Sequence, residues 1–418
     1  MSKNFYHRTN CRLCESTNLE LAIPLKKIPL TEKYLENKNS NKDFEFFPID
    51  IYMCKSCYHV QILDVVDQDI LWANYTFRSG LVKTIVAHLH DVAERVCKKY
   101  KISEKSLVID VGSNDGTLLQ GYKNQKMQVL GIDPSKEIAK EANDLGIKTI
   151  DKFLTEELSK KVVDEYGKSK VINCFNAFAH ADKMIELTKS ITNLMSKDGI
   201  FVFEVSYLVD IIEKTLLGTV IHEHLSHHSL ISLEIFLKKF NLELIYVERN
   251  SFQGGSIVGV VQFINGPHSI DKSVKTFIEY ERKNKFDQLK KIKSFSKKLN
   301  IVNDQLKDLI REMILEKKEI AGYGAARSGT TLITEFNLGD KIKYIFDDHF
   351  QKVNKYSPGD LIQVIPTKKI LEKMPDYTFI LAWVHADKII SDNHEYLRKG
   401  GKFISILPKI QITTKENI

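Results

Sequence analysis

Twice in this chain a short apolar run ends in a glycine turn and leads into a helix-like stretch. The first is SLVIDVGSNDGTLL and the second is EIAGYGAARSGTTLITEF. Other strand-like runs alternate with helical or loop segments around each of them, a pattern typical of parallel strands joined by crossover helices. The sequence therefore predicts an α/β fold, with a central doubly wound sheet and a second Rossmann-like α/β domain in the C-terminal third.

The length of 418 residues is more than one hydrophobic core usually organises. Changes in composition along the chain predict four segments. These are a small N-terminal domain at 1–70, the central α/β domain at 71–266, a lysine-rich helical connector at 267–312 and the C-terminal α/β domain at 313–418.

The composition is that of a folded globular protein, with 43% hydrophobic and 28% charged residues. No apolar run approaches the roughly 20 residues of a bilayer span, and the first residues lack the apolar core of a signal peptide. We therefore expect a cytoplasmic protein without a membrane partner. The net charge of +7 comes from scattered lysines without an arginine and aromatic pattern, so nucleic acid is not an expected partner. The oligomeric state stays open.

Four of the six cysteines form two CxxC pairs, Cys11 with Cys14 and Cys54 with Cys57. In a reducing compartment this repeated spacing favours four thiolates on one tetrahedral Zn²⁺. The alternatives are a redox pair or unliganded small hydrophobic residues. A four-sulfur site leaves no open coordination position, so the predicted zinc is structural.

The first glycine turn has the features of a cofactor pocket. Asp110 ends a strand, and Gly112 permits a tight turn through Asn114 and Asp115 at the start of a helix. About 20 residues later a second strand ends in Asp133 and Pro134, where a carboxylate can accept ribose hydroxyls. GSNDG is not the dinucleotide pattern GxGxxG. The combination instead predicts an S-adenosylmethionine pocket, with a purely structural turn as the alternative.

The second glycine turn, AGYGAARSG, predicts an anion site at a helix N-terminus. Gly324 lies in the turn and Arg327 could bind phosphate. Asp347 ends the next strand and would suit either a ribose or a loop cap. A second dinucleotide site is the alternative, although the spacing is again not GxGxxG. These three residues are predicted to bind the substrate.

Taken in order, the double CxxC, VIDVGSNDGTLL, GIDPS, NAFAHADK, FEVSYL, HEHLSHHS, FQGGS and GYGAARSG resemble the sugar C-methyltransferases that act on the 3-position carbon of dTDP-4-keto-deoxyhexoses. The resemblance extends over essentially the whole chain. It implies a nucleotide-linked sugar as substrate, with the C-terminal domain closing over it. It also implies that Asn176 and Ala177 line the S-adenosylmethionine pocket.

Methyl transfer to carbon requires a base that removes a proton beside a ketone. The resemblance implies that His224 is this base and that Glu223, His180 and Tyr75 are further catalytic residues. It also implies substrate contacts by Arg78, which could meet phosphate, and by His222 and His228 of the HEHLSHH segment. A zinc helix of the HExxH type is absent from that segment. Histidines that merely pack a loop are the plainer alternative.

The chain departs from the family pattern on both sides of HEH. The aromatic positions after HEHLS are here His227 and His228. A tyrosine commonly precedes HEH, whereas this chain has Ile221, which cannot donate a hydrogen bond to an enolate oxygen. O-methylation of a sugar or of another small metabolite is therefore an alternative activity. A non-catalytic zinc-containing scaffold with a methyltransferase fold is an alternative from another functional class.

Overall fold

The computed structural model describes residues 4–38, 44–72 and 77–418. The N-terminal domain, residues 4–72, is made of short strands because its core is small and turns interrupt every run. Its elements are β1 (Phe5–His7), β2 (Leu19–Ile23), β3 (Ile28–Pro29), β4 (Phe46–Phe47), β5 (Ile51–Cys54), β6 (Val60–Ile62), β7 (Asp64–Val66) and α1 (Gln68–Trp72).

The central domain contains the longest sheet. Its elements are α2 (Lys83–Lys99), β8 (Leu107–Val111), α3 (Thr117–Asn124), β9 (Gln128–Ile132), α4 (Lys136–Asp144), β10 (Thr149–Ile150), α5 (Glu156–Tyr166), β11 (Ser169–Phe175), α6 (Met184–Leu194), β12 (Met195–Ser206), α7 (Leu208–Lys214), β13 (Ser226–His227), α8 (Leu230–Lys238), β14 (Leu242–Asn250) and β15 (Ser256–Phe263). The sheet order is β10-β9-β8-β11-β12-β15-β14. All neighbours from β10 to β12 are parallel, and β15 is antiparallel to both of its neighbours. The strand order reverses at β8 and β11, where ligands of such sheets bind.

The helical connector consists of two helices and leads into a second α/β sheet. The elements are α9 (Lys272–Lys283), α10 (Leu289–Leu315), β16 (Ile320–Tyr323), α11 (Arg327–Glu335), β17 (Tyr344–Phe346), β18 (Gln363–Ile365), α12 (Ile370–Lys373), β19 (Tyr377–Ile380), α13 (Ala386–Asp392), α14 (His394–Arg398), β20 (Lys402–Ser405) and β21 (Gln411–Thr413). The sheet order is β18-β17-β16-β19-β20-β21, and the β21 edge is antiparallel.

The two α/β domains repeat the same turn in atomic detail. The amide of Gly112 donates to the carbonyl at the end of β9, and the amide of Gly324 donates to the carbonyl at the end of β17, each at 2.8 Å. Both glycines have positive φ, +75° and +91°. A Cβ added at Gly112 would lie 2.5 Å from Cβ of Ala177, and one at Gly324 would lie 2.3 Å from Cβ of Ala382. This equivalence is not visible as a sequence repeat.

Helix α10 connects all parts of the molecule. Its 27 residues span about 40 Å, and it packs against both β2 and α7. The ammonium group of Lys298 caps α7 by donating to the carbonyl oxygens of Ile212 and Glu213, at 2.9 and 3.0 Å. One continuous hydrophobic core therefore includes residues of all three domains.

Strand β13 belongs to the N-terminal sheet, although its sequence lies in the central domain. It pairs antiparallel with β6, which gives the sheet order β13-β6-β5-β2. The second half of the HEHLSHH segment is thus part of the joint between the two domains. Among the described helices, none is both long and apolar enough to cross a bilayer.

Candidate active site

A cavity of about 1180 Å³ lies where the three domains meet. The predicted site residues that line it are Arg78, Asp110, Gly112, Asn114, Asp133, Pro134, Asn176, Ala177, His180, His224, Arg327 and Asp347. Five further predicted residues are not part of this lining: Asp115, His222, Glu223, His228 and Gly324. Tyr75 lies outside the described residues. The structure therefore gathers most of the predicted cofactor and catalytic residues around one space.

The wall formed by β8 and β9 matches an adenosine-type ligand. The carboxylate of Asp133 accepts from the amides of Asn114 and Ser135, both at 2.9 Å. These bonds fix its orientation at the rim of the cavity and leave further lone pairs for hydroxyl donors. Burial raises the pKa of Asp133.

One oxygen of the buried Asp110 carboxylate lacks a hydrogen-bond partner among the described residues. The residue is 2% exposed, and that oxygen is Oδ1. Burial, reinforced by Asp133, raises the pKa of Asp110 to about 7. A bound cationic group would offset that cost. S-adenosylmethionine carries an ammonium and a sulfonium centre, so this lining fits it.

Two of the predicted cofactor residues mainly hold the turn. Asp115 accepts from the amide of Gly80 at 2.7 Å and from the amide of Thr117 at the start of α3. The side chain of Asn114 accepts from the amide of Ser79 at 2.9 Å. Both side chains thus fasten the segment before α2 to the glycine turn.

Arg78 faces the cofactor half of the cavity. Its guanidinium makes a two-point contact with Glu141 on α4, with Nε–Oε2 and Nη2–Oε1 distances of 2.5 and 2.9 Å. The predicted phosphate contact would require this pair to open. Asn176 closes the neighbouring wall, with φ of 51° and its amide bonded to the carbonyl of Glu204.

His180 and His224 form a stacked pair on the cavity wall. Their ring centroids are 5.1 Å apart at an interplanar angle of 20°, and Trp72 lies 5.5 Å beyond His180. His224 Nδ1 lies 2.5 Å from the carbonyl oxygen of Thr219. Because a carbonyl only accepts, Nδ1 carries the proton and the lone pair is on Nε2.

Burial keeps both rings neutral. It lowers the pKa of His224 to about 4, with a contribution from the nearby guanidinium of Arg327. It also lowers the pKa of His180 well below its ordinary value, and His224 and Arg327 add to this effect. Two neutral imidazoles therefore face the space between the cofactor turn and the C-terminal domain.

Glu223 and the C-terminal cations form a connected charge cluster. Arg327 Nη1 lies 3.9 Å from Glu223 Oε1, and Arg327 Nε donates to Glu32 at 2.9 Å. Glu32 also accepts from Lys352 at 3.1 Å. Burial opposes ionisation of Glu32, but Lys352 and Arg327 outweigh it and hold its pKa below the ordinary value. Arg327, Lys352 and Glu32 thus line one end of the cavity, with Glu223 behind them.

His222 and His228 lie behind the cavity wall. His222 Nε2 is 3.4 Å from the carbonyl oxygen of Phe47, and His228 stacks between Phe178 and His59 in the domain joint. Neither ring is among the residues that line the cavity, because β13 turns this part of the segment toward the N-terminal sheet. Both rings pack against other side chains, so the structure does not support the predicted substrate contacts of His222 and His228.

Asp347 repeats the geometry of Asp133. It accepts from the amides of Ala325 and His349, both at 2.7 Å. Gly324 permits that turn through its positive φ and is not itself among the cavity-lining residues.

Sequence reasoning overlooked Trp383, whose indole packs on two central-domain glycines. A Cβ at Gly218 would lie 2.2 Å from its Nε1, and one at Gly254 would lie 2.5 Å from its Cη2. The chain has only two tryptophans, and both line the cavity. Their rarity could have marked them as candidate site residues, whereas nothing in the sequence distinguished Glu32 and Lys352 from other charged residues.

The four predicted metal ligands converge. The Sγ atoms of Cys11 and Cys57 are 3.6 Å apart, those of Cys14 and Cys54 are 3.5 Å apart, and all four lie within 4.8 Å of one another. Tetrahedral coordination at the usual Zn–S length separates sulfurs by roughly 3.8 Å. The cluster therefore fits a single Zn²⁺ with a full thiolate shell.

Comparisons with known proteins agree with this geometry. Family models match residues 11–72 as a zinc binding domain, 87–247 as a methyltransferase domain and 251–408 as a C-methyltransferase C-terminal domain. The C-methyltransferase NovU of Streptomyces niveus is 27% identical over 408 residues, which cover 97% of each chain. The chain is therefore an S-adenosylmethionine-dependent methyltransferase that is similar to a C-methyltransferase.

Solved structures that resemble parts of this methyltransferase were also found. One is an S-adenosylmethionine-dependent methyltransferase from Clostridium acetobutylicum, at 12% identity and a TM-score of 0.35, covering 47% of this chain and 95% of that one. Another is magnesium protoporphyrin IX methyltransferase from Synechocystis, at 12% identity and a TM-score of 0.33, covering 46% and 88%.

The family resemblance, the α/β fold class, the S-adenosylmethionine cofactor and the zinc site are thereby confirmed. This methyltransferase is an enzyme and not a non-catalytic scaffold. The domain limits and the roles of individual residues stay predictions.

Proposed function

We propose that this methyltransferase adds a methyl group to the carbon beside the ketone of a nucleotide-linked 4-keto-deoxy sugar, with dTDP as the nucleotide. The observation that carries the proposal is the orientation of His224. Its Nδ1 is committed to the Thr219 carbonyl, so the basic Nε2 is the nitrogen left for a substrate in the cavity that His224 lines.

The proposed reaction begins when His224 removes the proton from the carbon next to the ketone. The C–H electron pair moves into an enolate, and Arg327, close enough to influence His224, would stabilise the negative charge. Bound S-adenosylmethionine would supply the electrophilic methyl group for the enolate carbon, and its sulfur would keep the electron pair of the methyl–sulfur bond.

The C-terminal domain would hold the nucleotide. Arg327 and Lys352 offer two cations for a diphosphate, and both now share Glu32. Asp347 occupies the same place in its turn as Asp133 does in the cofactor turn, which suits a ribose. The stacked His180 would act as a second acid-base group or as a substrate contact.

O-methylation is the second candidate because Ile221 lines the cavity. An isoleucine offers the enolate oxygen no hydrogen bond, whereas His224 could deprotonate a hydroxyl group instead.

The two candidates are separated by incubating the enzyme with a dTDP-4-keto-deoxyhexose and methyl-labelled S-adenosylmethionine. NMR would place the new methyl on carbon if the proposal is correct, and a methyl on oxygen would refute it. A second assay omits the cofactor and uses D₂O. We expect deuterium to enter beside the ketone with the parent enzyme and not with His224→Gln.

A further inference from the structure

Arg12 links the zinc cluster to the cavity. It lies between the ligands Cys11 and Cys14 and is 1% exposed, which makes it one of the largest fully buried side chains. A buried guanidinium is costly unless its charge and its donors are matched. Its Nε and Nη2 atoms have no hydrogen-bond partner among the described residues. An ion pair and the hydrogen bonds of Nη1 therefore offset that cost, and the groups that make them show what the cluster contacts.

The first of these groups is Asp182, in the segment 176–183, which we call the His180 loop. Arg12 Nε lies 3.2 Å from Asp182 Oδ1. Two other N-terminal side chains converge on the same residue. Arg8 donates to its carboxylate at 3.0 Å and to its carbonyl oxygen at 3.1 Å, and the hydroxyl of Tyr6 also donates to its carboxylate.

The second group is the carbonyl oxygen of Leu225, in the segment 219–228, which we call the His224 loop. Arg12 Nη1 donates to this oxygen at 3.2 Å and to Gln61 at 3.1 Å. The amide of Ile62 donates to the same Leu225 oxygen at 3.0 Å. Leu225 directly follows His224, so the contact lies one residue from the imidazole.

One guanidinium therefore touches both loops that carry the stacked histidines. Its Nη1 hydrogen bond to the His224 loop and its Nε ion pair with the His180 loop are made by one rigid planar group, which the flexible ammonium of a lysine would not reproduce. A misplacement of about 1 Å can lower a catalytic rate about 100-fold. The spacing of His180 and His224 is thus sensitive to whatever holds Arg12.

We propose that Arg12 is a positioning residue that sets the separation of His180 and His224. The zinc cluster fixes the backbone around Arg12 and through it stabilises the catalytic geometry, in addition to folding the N-terminal domain. This inference rests on the proposed function, since it assigns the base to His224.

The test compares Arg12→Met and Arg12→Lys with the parent enzyme, and uses Arg95→Met as the control because Arg95 makes surface ion pairs with Asp91 and Glu248. We expect both Arg12 variants to lose about 10- to 100-fold in kcat with a dTDP-4-keto-deoxyhexose. The KM, the affinity for S-adenosylmethionine in calorimetry and the zinc content should stay within about twofold. Crystal structures should show the His180–His224 centroid distance changed from 5.1 Å.

A parent-like kcat and a parent-like ring separation in Arg12→Lys would overturn the proposal. A parallel loss of zinc, cofactor binding and turnover would also overturn it, because that result indicates a purely structural role for Arg12. If Arg12→Met does not fold, Arg12→Lys decides alone. The proposed function has a separate test, because full turnover by His224→Gln would refute that base. The ring separation in crystals of Arg12→Lys would still decide the role of Arg12.

Discussion

His224 Nδ1 lies 2.5 Å from the carbonyl oxygen of Thr219, five residues earlier in the chain. This short local bond selects the tautomer of a buried ring that stacks on His180. It turns a buried histidine, which could have been mere packing, into a candidate base with one defined basic nitrogen.

The first prediction concerns this base. His224→Gln should lower kcat by about 10²- to 10⁴-fold, the usual contribution of a general base, while binding S-adenosylmethionine normally. Steady-state kinetics and calorimetry measure the two effects. His394→Gln is the control, because His394 is an exposed histidine on α14. Equal activity of the two variants would exclude His224 as the base.

The second prediction concerns the cofactor. Asp133→Asn should weaken S-adenosylmethionine binding about 10- to 100-fold, as expected for lost hydrogen bonds to a charged group. Asp144→Asn removes an exposed carboxylate of α4 that pairs with Lys140 and should bind normally. Calorimetry of both variants checks this, and an unchanged Kd for Asp133→Asn would place the ribose elsewhere.

The third prediction separates the two glycine turns. Gly324→Ala forces a Cβ to within 2.3 Å of Ala382 and strains a residue with φ of +91°. We expect a higher KM for the nucleotide sugar with unchanged cofactor affinity. Gly112→Ala should show the opposite pattern because its Cβ would meet Ala177. If both variants lose cofactor binding, the turns do not serve separate ligands.

The fourth prediction is acid lability. Burial lowers the pKa of His224 to about 4 and that of His227 and His228 to about 3. Below the ordinary value near 6.5 the unfolded chain binds protons that the folded chain does not. Stability is therefore lost as the pH falls below about 6.5, by about 1.4 kcal/mol per pH unit for each such histidine.

Urea unfolding at pH 7.5, 6.5 and 5.5 measures this loss. His228→Phe, whose ring can keep the stack with Phe178, should show a shallower decline than the parent enzyme. His394→Gln should decline like the parent. A parallel decline of His228→Phe and the parent would show that His228 does not contribute.

The fifth prediction concerns the metal. Elemental analysis should find about one zinc per chain. Chelation, or Cys57→Ser, should lower the melting temperature because the N-terminal domain has a small core of its own. Cys97→Ser, a cysteine outside the cluster, should retain zinc. A zinc-free enzyme with parent stability would contradict this.

The sequence alone determined the features that are local in the chain. Strand periodicity and glycine turns predict two α/β domains, repeated CxxC spacing predicts the zinc, and GSNDG followed by Asp133 predicts the cofactor. Each depends on residues within one turn or on a fixed strand spacing, so short-range geometry is sufficient.

Only the tertiary structure decided which of the predicted residues reach the cavity. Within the HEHLSHH segment, His224 faces the cavity while His222 and His228 face the N-terminal domain, because β13 pairs with β6, more than 160 residues away in the chain. Glu32 and Trp383 reach the cavity from the two outer domains, and Arg12 contacts the two loops that carry His180 and His224. Contacts of this kind depend on how the domains pack, which no local pattern encodes. The sequence around Arg12 did not indicate that this residue contacts the His180 loop and the His224 loop.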